Sequence, residues 1–102
     1  MDAKAHLTKA ITLNPDYSEA YYELGLLLKK DGDADESLVH FQKAVALKSD
    51  FAEAECELAI MLQLSKDLES SRNHFLNSLE INPNYANAYF HYGLLLIELD
   101  DI

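Results

Sequence analysis

The chain is 102 residues long, 49% hydrophobic and 25% charged, a balance that excludes intrinsic disorder and leaves room for one small domain. Eighteen Asp and Glu residues against eight Lys and Arg give a formal net charge of -10, and no basic run exceeds Lys29-Lys30, which argues against nucleic acid and anionic membranes as partners. A single cysteine, Cys56, rules out an internal disulfide, and the apolar runs Leu26-Leu27-Leu28 and Leu94-Leu95-Leu96-Ile97 fall far short of the ~20 residues that span a bilayer.

With only three Gly and two Pro, the composition favours helices, and the apolar spacing predicts six of them, at about 2–13, 18–31, 34–48, 52–65, 68–81 and 86–99. The first carries Leu7, Ala10 and Ile11 and stops at Asn14-Pro15-Asp16, because proline has no N–H to continue the ladder. In the second, Tyr21, Leu24, Gly25 and Leu28 form the i, i+3, i+4, i+7 stripe of one buried face. Asp31-Gly32-Asp33 then reads as a stop and a restart: Gly32 suits the left-handed end of a helix, and Asp33 can cap the next one. The third presents Leu38, Phe41, Ala44, Val45 and Leu47. The fourth and fifth repeat the scheme through Leu58, Ala59 and Leu62 and then Phe75, ending at Asn82-Pro83-Asn84; the sixth shows Tyr89, Tyr92, Gly93 and Leu96.

A shift of 34 residues lays the chain on itself. Ser18-Glu19-Ala20 becomes Ala52-Glu53-Ala54 and Ala86-Asn87-Ala88; Leu24-Gly25-Leu26 becomes Leu58-Ala59-Ile60 and Tyr92-Gly93-Leu94. Phe41 maps forward to Phe75 and back to Leu7, and Tyr17, Phe51 and Tyr85 close successive units. The pattern Tyr21-x2-Leu24-Gly25-x2-Leu28 followed by Ser37-x3-Phe41-x2-Ala44, echoed in Ser71-x3-Phe75-x2-Ser78 and Pro83, resembles the tetratricopeptide repeat. The resemblance implies an all-α, right-handed α-solenoid of about six antiparallel helices in a single domain. The register is permuted: 1–17 is the second helix of a truncated unit, 18–51 and 52–85 are units, and 86–102 is the first helix of another. Glu55 departs from the pattern, placing a charge where an aromatic is expected and marking the second unit as the softest.

Function is expected where the first helices line a concave side. The positions the resemblance assigns to that groove are Glu19, Tyr22, Leu26, Lys29 and Lys30, then Glu53, Cys56, Ile60, Gln63 and Leu64, then Asn87, Phe90, Leu94, Ile97 and Glu98. Their centre is apolar and their edges acidic, which fits a protein or peptide with apolar anchors and neutral or basic flanks, and the chain is expected to act as a protein–protein interaction scaffold. Relatives that grip the acidic tails of heat-shock chaperones use Lys, Asn and Arg at positions held here by Tyr22, Leu26, Glu57, Asn87 and His91, so that clamp is not spelled out. Nor is the asparagine ladder of the sugar-transferase branch, whose places are taken by Glu23, Glu57 and His91. The alternative is self-assembly: Leu7 and Ile11 on the first helix, and Tyr89, Tyr92 and Leu96 on the last, lack covering helices and could join copies head to tail.

Catalysis, cofactors and metals are not expected. His6, His40 and His74 recur at the 34-residue spacing, but equivalent residues on stacked hairpins stand roughly 8–10 Å apart, too far to share an ion held at about 2 Å. Asp31-Gly32-Asp33-Ala34-Asp35 fails as a calcium loop, having Glu36 where glycine is needed and Gln42 where glutamate is needed. Cys56 has no neighbouring base in the sequence to activate it. The opening Met1-Asp2-Ala3-Lys4 shows no leader pattern, so the cytoplasm is the expected location.

Overall fold

The computed structural model describes residues 2–100, and among these every regular element is a helix: α1 (Ala3–Leu13), α2 (Ser18–Lys30), α3 (Ala34–Leu47), α4 (Ala52–Leu64), α5 (Leu68–Ile81) and α6 (Ala86–Asp100). The predicted boundaries hold to within a residue or so, because local chemistry sets them. Asp2, Asp33 and Asp67 cap α1, α3 and α5, each accepting a backbone N–H, from Lys4 (3.0 Å), Glu36 (3.3 Å) and Ser70 (3.4 Å). Asn14 and Asn82 fold the turns after α1 and α5 by accepting the N–H two residues on, at 3.2 Å in both cases. Gly32 ends α2 at φ +84, as expected; the matching turn after α4 puts Lys66 at φ +69. A side chain there costs about 1–2 kcal/mol, which glycine avoids.

The chain divides between Ser49 and Asp50 into two compact units. In the first, α2 packs on α3 and, on its other side, on α1. Leu24, Leu28, Phe41 and Ala44 are buried there, and burying the Phe41 ring contributes about 2–3 kcal/mol. That ring lies on Gly25: a Cβ at Gly25 would come 2.7 Å from Phe41 Cε1, so only glycine lets the ring down so far. The Ser37 hydroxyl donates to the Gly25 carbonyl at 2.8 Å, fixing the helix pair at the same point. None of α1 is buried.

In the second unit α4 packs on α5, and α6 lies against both. Its core joins Cys56, Ala59 and Ile60 of α4, Phe75 of α5, and Ala88 and Leu95 of α6. Ser71 donates to the Ala59 carbonyl (2.7 Å) and Ser78 to the Ala52 carbonyl (2.8 Å). Buried hydroxyls without partners would cost about 1–3 kcal/mol each; here all three are satisfied by a neighbouring helix.

Candidate interaction site

The first helix of each hairpin carries the expected groove positions, and each unit can be followed by itself. On α2, Glu19 is exposed and Tyr22, Leu26 and Lys29 are half-buried. Tyr22 leans on the Phe41 ring, centroids 6.0 Å apart and tilted by 53°, so the core of the hairpin holds its position. Glu19 accepts the Ser18 hydroxyl at 2.8 Å and faces Lys48 at 3.6 Å; the hydroxyl first, then its backbone N–H and the lysine, hold its carboxyl below the usual glutamate value.

In the second unit the positions divide into two kinds. Glu53 and Leu64 on α4 are exposed and Gln63 is half-buried, and on α6 Asn87, Phe90, Leu94 and Ile97 are exposed. Phe90, Leu94 and Ile97 are 63%, 42% and 62% accessible, and their i, i+4, i+7 spacing makes a continuous apolar stripe. Cys56 and Ile60 correct the expectation. Both are buried, Cys56 completely, because Ala88 and Leu95 of α6 close over that side of α4 and make them core. They therefore line no groove. Tyr92 corrects it too: its ring stacks on Phe75 at 5.8 Å, so it belongs to the core margin, while Tyr89 and Leu96 stay exposed. On α1, Leu7 and Ile11 are half-buried.

Polar contacts fix α6 to α4 at both ends of the stripe. The Asn87 amide points at Cys56 Sγ from 4.0 Å. At the far end Glu98 accepts from Gln63 Nε2 (3.2 Å) and from Lys66 Nζ (2.8 Å). Lys66 first and Gln63 second hold the Glu98 carboxyl below its usual value, so it is ionised at neutral pH. Burial, by contrast, pushes the Tyr85 phenol up, with Glu53 and Glu57 adding to the effect.

One contact escaped the sequence reading. Glu55 is buried, and its Oε2 lies 2.6 Å from His74 Nδ1, so the out-of-place charge has a partner. A shift of 34 residues lays this pair on Tyr21 and His40 of the first hairpin, which also touch, with ring centroids 6.0 Å apart. Two other histidines use Nδ1 locally, His6 on the Asp2 carbonyl (2.9 Å) and His40 on the Glu36 carbonyl (2.7 Å), while His91 meets the Phe90 ring edge-on at 5.2 Å. Among the described residues no three His, Cys, Asp or Glu side chains converge as a metal site, and no helix is long and apolar enough to cross a membrane.

Helical hairpins wedged by a small residue, with apolar and polar side chains displayed along their first helices, define a repeat-type α-helical module. The tetratricopeptide repeat family model matches residues 6–38 and 74–102, more than half of the chain, and the chain belongs to that family. The unmatched middle contains α4, where Glu55 takes the aromatic place. Among solved structures the chain is similar to MamA, at TM-score 0.87 and 21% identity over 95% of this chain and 57% of that one. It is also similar to YrrB, described as a TPR protein with an unusual peptide-binding site, at TM-score 0.84 and 21% identity over 92% and 48%. The first TPR of Spaghetti (RPAP3), bound to the HSP90 peptide SRMEEVD, superposes at TM-score 0.89 with 16% identity over 95% and 77%. At these identities the likeness establishes the fold. The chain spans about half the length of MamA and of YrrB. No curated protein sequence matches it.

Proposed function

We propose that the chain is a protein-interaction module that takes a polypeptide segment with apolar anchors and neutral or basic flanks against the exposed face of α6. The observation that carries this reading is the exposed stripe Phe90, Leu94 and Ile97 on α6. Contiguous apolar surface of that kind is a mark of interaction sites. Charge supplies the flanks: residues 50–102 hold ten Asp and Glu against two Lys and Arg, so eight of the ten net negative charges fall in the unit that carries the stripe. Such a field speeds the approach of a basic segment and repels an acidic one.

Peptide binding by YrrB and by the Spaghetti domain supports the general role. It does not extend to the same ligand. SRMEEVD is acidic, and Tyr22, Leu26, Glu57, Asn87 and His91 supply no cationic clamp for its carboxylates. Selection of a displayed random-peptide library on the chain tests the reading. Winners should combine two or more apolar side chains with Lys or Arg, and their affinity should fall by about a hundredfold in Phe90→Lys/Leu94→Lys, whose exposed positions leave the fold intact. Enrichment of acidic sequences, or unchanged affinity in that variant, would count against it.

A further inference from the structure

We propose that the open side of α6 seats α1 of a second copy of this chain, head to tail. The inference stands apart from the groove reading, since it concerns Tyr89, Gly93 and Leu96, one helix face away from Phe90, Leu94 and Ile97. Gly25 is the bed of an aromatic ring from the second helix of its hairpin, Phe41. Ala59 holds that place in the next hairpin, in one buried cluster with Phe75. Gly93 stands at the same spacing again, yet a Cβ there would meet nothing within 4 Å, and Tyr89 and Leu96 beside it are 53% and 43% accessible. The bed is made and no ring lies in it.

The other two hairpins define the occupant: a helix with a small residue and, four positions later, a bulky apolar one, as in Ser37-x3-Phe41 and Ser71-x3-Phe75. α1 has that spacing in Ala3-x3-Leu7, and Ala10 follows where Ala44 and Ser78 follow in α3 and α5. Charge agrees. α1 carries Lys4 and Lys9 with no Asp or Glu, while α6 carries Glu98 and Asp100 with no Lys or Arg. The receiving surface is present as well: two clefts of about 270 and 180 Å³ flank Leu7, one floored by Leu26 and Leu27 with Glu23 and Lys30 at its edge, the other by Ala10, Tyr17 and Ala20 with Glu19 and Glu23 at its edge. A first helix from another copy would fill them with apolar side chains. Because the two surfaces differ, the contact is heterologous and can repeat beyond a dimer.

Light scattering over about a hundredfold range of concentration, on the chain and on Gly93→Leu, tests this. The mass of the parent should rise past that of a dimer. Gly93→Leu should keep full helicity, since its Cβ meets open space in a single copy and leucine favours helix. Its association midpoint should move up by at least about tenfold, and Leu7→Lys should do the same. A parent that stays monomeric throughout would overturn the proposal and leave the α6 face to a helix from a different protein or a further segment. Association unchanged in Gly93→Leu would also overturn it, placing the contact elsewhere. Neither result touches peptide selection, so this proposal and the groove reading fail independently.

Discussion

The hairpins α2–α3 and α4–α5 share one plan and differ at two places. Both wedge an aromatic ring, Phe41 or Phe75, over a small residue, Gly25 or Ala59, and both tie the helices with a serine hydroxyl on that residue's carbonyl. They differ where Tyr21 meets His40 in one and Glu55 meets His74 in the other, and where Gly32 or Lys66 turns the chain. The wedge is where backbones come closest, so it admits only a small residue, glycine in one hairpin and alanine in the other. The aromatic slot needs only that its occupants satisfy each other, by ring contact or by a charge-assisted hydrogen bond.

The largest effect should come from attacking the wedge. Gly25→Val places methyl groups into space held by the Phe41 ring, and urea unfolding should show a loss of about 2–3 kcal/mol. A loss under half of that would mean the Phe41 ring can move aside. Next comes the slot. Glu55→Ala strands His74 and opens a hole, for an expected cost of about 2 kcal/mol. Glu55→Tyr recreates the first hairpin's pair and should stay within about 1 kcal/mol of the parent. Additivity of Glu55→Ala with His74→Ala in a double-mutant cycle would show that the 2.6 Å contact couples nothing.

The smallest effect belongs to the Lys66 turn. The Glu98 carboxyl is held below its ordinary value of 4.5, so its contribution is present above that value and is lost as pH falls through the depressed one. Between the parent and Glu98→Gln, the unfolding curves should therefore converge in acid below about pH 4.5, with a slight advantage to the parent at neutral pH. Because the Lys66 end of the pair is largely in solvent, salt should erase that advantage.

Most of the fold was legible because its signals are local. Asn14-Pro15, Gly32, Asp33 and the stripes through Leu24 and Phe41 each act within a turn or two of the chain. The buried state of Cys56 and Ile60 was not, because it depends on how α6 lies across α4, and no period within α4 encodes that. Tyr92 was misplaced for the same reason: one helix face serves either its own hairpin partner or the core beside it, and spacing alone does not choose. Lys66 was missed because a left-handed lysine contradicts the glycine rule; only the contact with Glu98 shows what its side chain does there.

The serine hydroxyls also fix the register of each helix pair. Apolar ridges would let two helices slide past each other by a full turn at modest loss, since one greasy row resembles the next. The bonds from Ser37 to the Gly25 carbonyl and from Ser71 to the Ala59 carbonyl do not permit this. A slip of one turn would strand a donor in a dry interior, at about 1–3 kcal/mol, in the same motion that lifts the ring off its small residue. Each hairpin thus behaves as a ratchet with a single tooth, locked in one register or released, with no stable position between.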